Sequence, residues 1–169
     1  MKAVITGGGT GGHVYPALEV GHAIVTEGFE IHYFGSQRGH EVRACRKADI
    51  PFQGFPSEPL YSLKSLRGLR AAANLARATV LARRALLKLD PDVVFSTGGY
   101  SSAPVLYAAK QLGIPYVIHE QNVIPGRTNR ILSRHCFAVA TTFHRGAEHF
   151  GDARVVRTGL PVRKVFRNQ

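Results

Sequence analysis

A short β-branched strand that runs straight into a glycine-rich loop constrains this chain more than any other feature. Ala3-Val4-Ile5 is followed by Thr6-Gly7-Gly8-Gly9-Thr10-Gly11-Gly12. Beyond the loop Val14, Leu18, Ile24 and Val25 read as a helix, with Pro16 near its start and Gly28 just past its end. Early proline and late glycine are the asymmetry a helix prefers. Phe29 to Phe34 then reads as a strand, which completes one βαβ unit. The order returns further on. Asp92 to Ser96 is a strand, Thr97-Gly98-Gly99 its turn, Ala103 to Leu112 a helix closed by Gly113, and Ile114 to Ile118 the next strand. Strands alternating with helices predict an α/β fold, a Rossmann-like parallel sheet with helices on both faces. Ligands of such sheets bind beyond the carboxyl ends of the strands. Both glycine loops and His119-Glu120-Gln121-Asn122 fall at that edge.

Length and charge narrow the class. A chain of 169 residues is about one domain. Lys and Arg number 22 against 11 Asp and Glu, a net charge of +11, which suggests an anionic partner: nucleic acid, anionic lipid or a phosphorylated substrate. Cys45 and Cys136, the two cysteines, are too few to staple a fold and lack metal-ligand spacing, so a reducing compartment is expected. The stretch from Met1 to Thr6 leaves no room for the apolar region of a signal peptide. No apolar run approaches the ~18 residues of a membrane span.

The chemistry-bearing segments leave alternatives open. Gly7, Gly9 and Gly12 match the spacing of a dinucleotide loop, whose glycines let backbone amides approach a phosphate at a helix N-terminus. An NAD site also needs an acid after the second strand, where this chain has Phe34-Gly35-Ser36. A P-loop needs Lys-Ser/Thr where His13-Val14 stands. A ligand-free tight turn is the bland reading of the loop. His13, at the helix start, is either structural or a proton acceptor. His119 to Asn122 form a capping turn or a site, and Asn129 could face the same cleft. The remaining histidines show no paired spacing, so no metal site is expected.

Between Leu60 and Leu89 seven basic residues occur and no acidic ones. At helical spacing Leu75, Ala78, Ala82, Leu86 and Leu89 share one face, and Arg70, Arg77, Arg84 and Lys88 lie roughly opposite. With the Leu- and Tyr-rich loop Pro59 to Leu63 before it, this amphipathic basic helix suits an anionic membrane surface. RNA binding is not expected, because no stacked-aromatic pattern supports it and the chain has no Trp.

Thr6 to Pro16, Gly98-Gly99-Tyr100, His119 to Asn122 and Gly159-Leu160-Pro161-Val162-Arg163 together resemble the MurG family of bacterial GT-B glycosyltransferases. The resemblance runs in order over nearly the whole chain, and the first block combined with His-Glu-Gln-Asn is highly specific. It implies GlcNAc transfer from UDP-GlcNAc to the MurNAc 4-hydroxyl of lipid I, giving lipid II for peptidoglycan. It also implies inversion without a covalent intermediate, no metal or other cofactor, and a peripheral place on the cytoplasmic face of the inner membrane. Residues 1–162 would be the acceptor- and membrane-binding domain and 163–169 the start of a linker. A C-terminal donor-binding domain, absent from this chain, would be its partner. Thr10, Gly11, Gly12, Gly98 and Gly99 would cradle the acceptor pyrophosphate. His13 would be the candidate base, with Glu120 as rival or partner. His119 and Asn122 would orient substrate groups, Tyr100 and Asn129 would line the cleft, and Arg163 would sit near the hinge. Leu160 departs from the family, which usually has Asn there. The alternative is a basic Rossmann-like module that binds a membrane surface or RNA without chemistry.

Overall fold

The computed structural model describes residues 1–59 and 64–161. The expectations for Leu60 to Leu63, Arg163 and the linker 163–169 lie outside them.

Among the described residues seven strands form one parallel sheet in the order β3-β2-β1-β4-β5-β6-β7. Its first half runs β1 (Lys2–Thr6), α1 (Gly11–Val25), β2 (Glu30–Ser36), α2 (Glu41–Lys47), β3 (Phe52–Phe55) and α3 (Leu66–Leu89). The second half runs β4 (Val93–Ser96), α4 (Ala103–Leu112), β5 (Tyr116–Glu120), α5 (Arg127–Leu132), β6 (Ala138–Thr141) and β7 (Val155–Arg157). Short 3₁₀ turns follow α5 and β6. The expected doubly wound fold is therefore present. The strand order reverses between β1 and β4, and both carry a glycine loop at their carboxyl ends. That reversal opens the crevice in which sheets of this kind hold ligands.

Side-chain alternation along each strand divides the core between two faces. Val4, Phe34, Val94 and Ile118 meet Ala78, Ala82 and Leu86 of α3 and Val105, Leu106 and Ala109 of α4. Their neighbours Ala3, Ile5, Ile31 and Tyr33 turn to the other face, against Val14, Ala17 and Leu18 of α1 and Cys45 of α2. Both surfaces of the sheet are covered, as a parallel sheet requires.

α3 starts at Leu66, ahead of Leu75 where the apolar face read from the sequence begins. Ser65 caps it, its hydroxyl accepting from the Gly68 amide at 3.1 Å, and Asp90 ends it in the left-handed region (φ 52°). The face named from the sequence is the packed one: Ala78, Ala82 and Leu86 are buried, with Leu75 and Leu89 partly so. Arg70, Arg77, Arg84 and Lys88 are exposed. Among the described residues no helix is long and apolar enough to cross a membrane.

Candidate active site

The crevice forms where the two glycine loops cross. The Gly8 amide donates to the Gly98 carbonyl at 3.1 Å. Gly99, at φ +88°, lies against the Gly8 carbonyl so closely that a Cβ there would collide with it. Gly9, at φ +91°, is covered by the Tyr100 ring, and a Cβ would strike that ring. Side chains at these positions would force the loops apart. The Tyr33 hydroxyl ties the first loop from below by donating to the Gly7 carbonyl. Burial, with smaller contributions from Cys45 and Glu41, pushes that phenol well above its ordinary pKa.

α1 begins inside the first loop. Gly11, Gly12 and His13 form its first turn, and Thr10 is its N-cap without a side-chain cap bond. The first-turn amides and the positive end of the helix dipole favour an anion there. Thr10, Gly11, Gly12 and His13 line an open cleft of about 630 Å³, with Gln121, Asn122, Leu160 and Pro161 on its far side.

His13 is half-buried. Its backbone carbonyl accepts from Thr97 Oγ1 at 2.7 Å. Its Nδ1 lies 2.9 Å from the Thr97 carbonyl and 3.1 Å from Gln121 Oε1. The proton positions follow from the far end of this network. His119 Nε2 lies 2.9 Å from the Gly159 carbonyl, which can only accept, so Nε2 carries the proton. Burial pushes the His119 pKa down, against the opposing pull of the Gly159 carbonyl and Glu120. The ring is therefore neutral near pH 7, and its Nδ1 accepts from Gln121 Nε2 at 3.2 Å. Gln121 Nε2 also donates to the His119 carbonyl at 3.1 Å. That orientation presents Gln121 Oε1 to His13, so neutral His13 carries its proton on Nδ1. Its Nε2 keeps a lone pair and has no hydrogen-bond partner among the described residues.

His119 and Glu120 are the last two residues of β5 instead of following it. Adjacent strand residues point to opposite faces. His119 accordingly sits on the α1 side, in a hollow with Glu19, Val20 and Ala23. Glu120 turns towards α5 and is 0 % exposed. One of its oxygens accepts from Asn122 N at 2.9 Å and Asn122 Nδ2 at 3.1 Å. The other accepts from Gly126 N at 3.1 Å and Asn129 Nδ2 at 2.8 Å. Asn129 does not line the cleft. It is buried beneath Gly98, where a Cβ on that glycine would meet its amide. Tyr100 lines a separate apolar groove.

Sequence reasoning missed Glu41. It is 0 % exposed, and its Oε1 accepts from Ser36 N at 2.8 Å. A Cβ on Gly8, Gly35 or Gly39 would run into this side chain. Glu41 thus fills the space that three glycines leave beneath the first loop. The Gly39-x-Glu41 spacing is the one trace of this in the sequence.

A glycine-loop crevice at the switch point of a parallel sheet, with a polar relay on its rim and a helix N-terminus that favours an anion, defines a Rossmann-like domain. Residues 3–141 match the glycosyltransferase family 28 N-terminal domain, and the chain belongs to that family. It is 39% identical over 175 residues to a Bacillus cytotoxicus protein named UDP-N-acetylglucosamine--N-acetylmuramyl-(pentapeptide) pyrophosphoryl-undecaprenol N-acetylglucosamine transferase. That match covers 100% of this chain and 47% of the relative. A Desulfitobacterium hafniense protein of the same name is 41% identical over 171 residues, 99% of this chain and 46% of its own length. The chain thus spans about half the length of these relatives. Acinetobacter baumannii MurG superposes with a TM-score of 0.83 at 32% identity, over 96% of this chain and 46% of that one. A Methanocaldococcus jannaschii UDP-GlcNAc 2-epimerase shares the fold, with a TM-score of 0.70 at 16% identity over 95% of this chain and 47% of that one.

Proposed function

We propose that this chain is the acceptor-side half of an inverting glycosyltransferase that moves GlcNAc from UDP-GlcNAc to the MurNAc 4-hydroxyl of lipid I, forming lipid II. The observation that carries this reading is the relay from Gly159 through His119 and Gln121 to His13, on the rim of an anion-favouring cleft. The near-full-chain likeness to enzymes named for that transfer supports it. The acceptor pyrophosphate sits at the α1 N-terminus, with Thr10, Gly11 and Gly12 around it. His13 Nε2 takes the proton of the attacking hydroxyl as the new bond forms, and Gln121 and the Thr97 carbonyl stabilise the imidazolium. Glu120 is a positioning residue: its four donors hold Asn122 at the rim and Asn129 beneath Gly98. The donor sugar nucleotide is held by a second domain outside this chain, and the exposed basic face of α3 rests on the anionic cytoplasmic surface of the inner membrane.

The test joins this chain to a donor-binding half from a relative and measures transfer to a lipid I analogue. General-base help is worth ~10²–10⁴-fold, so His13→Ala lowers kcat by that order and removes the acidic limb of the pH–rate profile. Glu120→Ala keeps that limb. A loss under about threefold for His13→Ala, with the limb intact, would make His13 a loop-structuring residue and leave a non-catalytic binding module as the better description.

A further inference from the structure

Two imidazole rings meet at one amide. Gln121 Oε1 faces His13 Nδ1 at 3.1 Å, and Gln121 Nε2 faces His119 Nδ1 at 3.2 Å. Each ring is also held by a backbone carbonyl, that of Thr97 at 2.9 Å from His13 Nδ1 and that of Gly159 at 2.9 Å from His119 Nε2. A carbonyl only accepts, so both of those nitrogens carry protons. The two neutral rings are therefore opposite tautomers, Nδ1–H at His13 and Nε2–H at His119. One orientation of the Gln121 amide serves both, oxygen towards His13 and NH₂ towards His119. The His119 carbonyl, 3.1 Å from Gln121 Nε2, favours the same orientation.

The relay responds differently to a proton at its two ends. A proton added to His13 goes to Nε2, and Nδ1–H keeps its place on Gln121 Oε1 and the Thr97 carbonyl. A proton added to His119 goes to Nδ1 and meets the Gln121 NH₂ group. Donor then faces donor. Gln121 relieves this by turning its amide, which gives up the bond to the His119 carbonyl and sets the NH₂ group against His13 Nδ1–H. We infer that Gln121 is a positioning residue whose amide, oriented by neutral His119, holds His13 ready to take a proton on Nε2, and that protonation of His119 withdraws that hold. This rests on the proposed role of His13 and adds what keeps its ring in one state. Of the elements packed around the His119 ring, α1 contributes one titratable side chain, Glu19, and β4, β6 and segment 158–161 contribute none. Among the described residues Glu19 forms no ion pair with the ring, and Glu120, next along β5, points to the opposite face.

The test is nitrogen NMR of the purified chain carrying isotope-labelled histidine, titrated across the histidine range. His13→Ala and His119→Gln assign the two sets of signals, and the other histidines report an intact fold. At the alkaline end the parent chain shows Nδ1–H at His13 and Nε2–H at His119. His13→Ala frees Gln121 to turn, so the proton affinity of His119 rises ~2–10-fold, the worth of one net hydrogen bond. In a Gln121→Leu background, or Gln121→Met should the first not fold, the same His13→Ala change produces no such rise. Direct repulsion between the two rings would raise the affinity in both backgrounds. That result overturns the inference, as does a shared tautomer in the parent chain or an unmoved His119 in His13→Ala. None of these signals depends on sugar transfer, so a relay that fails here and a base that fails in the transfer assay are told apart.

Discussion

At the scale of single residues the crevice sets one fully bonded carboxylate beside buried polar atoms that have no partner among the described residues, among them Glu41 Oε2, Ser101 Oγ and Asn129 Oδ1. Glu120 accepts four hydrogen bonds on two oxygens. Glu120→Gln turns one oxygen into an NH₂ group that faces donors and leaves buried partners unpaired. Such losses cost about 1–3 kcal/mol, and urea unfolding is expected to show a drop of that size; an unchanged midpoint would mean that the bonds are individually dispensable. His119 sets an acid limit on stability. Burial holds its folded pKa below the ordinary value, which is about 6.5 for the unfolded chain. The unfolded state therefore binds the proton more readily. Stability is complete above that ordinary value and falls as pH drops through it towards the folded value. Denaturation midpoints at pH 7.5 and 5.5 are expected to differ for this reason, and His119→Gln to shrink the difference. An identical pH slope in the variant would assign the acid sensitivity to another group. The sequence showed where these residues cluster. It did not show their bonding, because Thr97, Gln121 and His13 meet only after β1, β4 and β5 are laid side by side.

At the scale of elements, legibility followed length and turn chemistry. α4 and α1 were readable from apolar spacing between a proline and a glycine. The seven residues of α2 and the three of β7 were not, since a segment so short shows fewer than two repeats of its pattern. β3 hides for another reason: Phe52-Gln53-Gly54-Phe55 carries a glycine at a place where a Cβ would press on the Gln37 backbone. α3 was the clearest element and the one whose outward face carries a functional proposal. Arg70, Arg77, Arg84 and Lys88 stand exposed on it, with Leu66 and Leu69 exposed near its start. Each basic residue close to an anionic bilayer is worth roughly 1 kcal/mol. Changing the four to Gln is expected to cut sedimentation with phosphatidylglycerol vesicles severely at low salt. Added salt should bring the parent chain towards the variant. Equal binding by both at low salt would remove α3 from the membrane surface.

At the scale of the whole molecule the cleft lies open to solvent. The sheet delivers β1, β4 and β5 to a common edge, and their loops build a surface that suits an anion and a hydroxyl acceptor. Glycosyl transfer in line also requires a sugar nucleotide on the opposite side of that hydroxyl, with its leaving diphosphate neutralised as the bond breaks. Holding the two reactants together supplies ~10⁵–10⁸ M of effective concentration in well-oriented systems. A chain that orients one reactant forgoes most of that gain. The chain is therefore expected to bind the acceptor analogue and to leave UDP-GlcNAc unconsumed, even at millimolar concentrations of both. Supplying the donor half of a relative, first in trans and then fused, should restore turnover in that order of efficiency, since fusion raises the effective concentration of that half. The readout is UDP release coupled to appearance of the disaccharide product. Steady release by the purified chain alone, abolished by His13→Ala, would mean that these residues hold donor and acceptor together, and the acceptor-side assignment would give way to a single-domain enzyme.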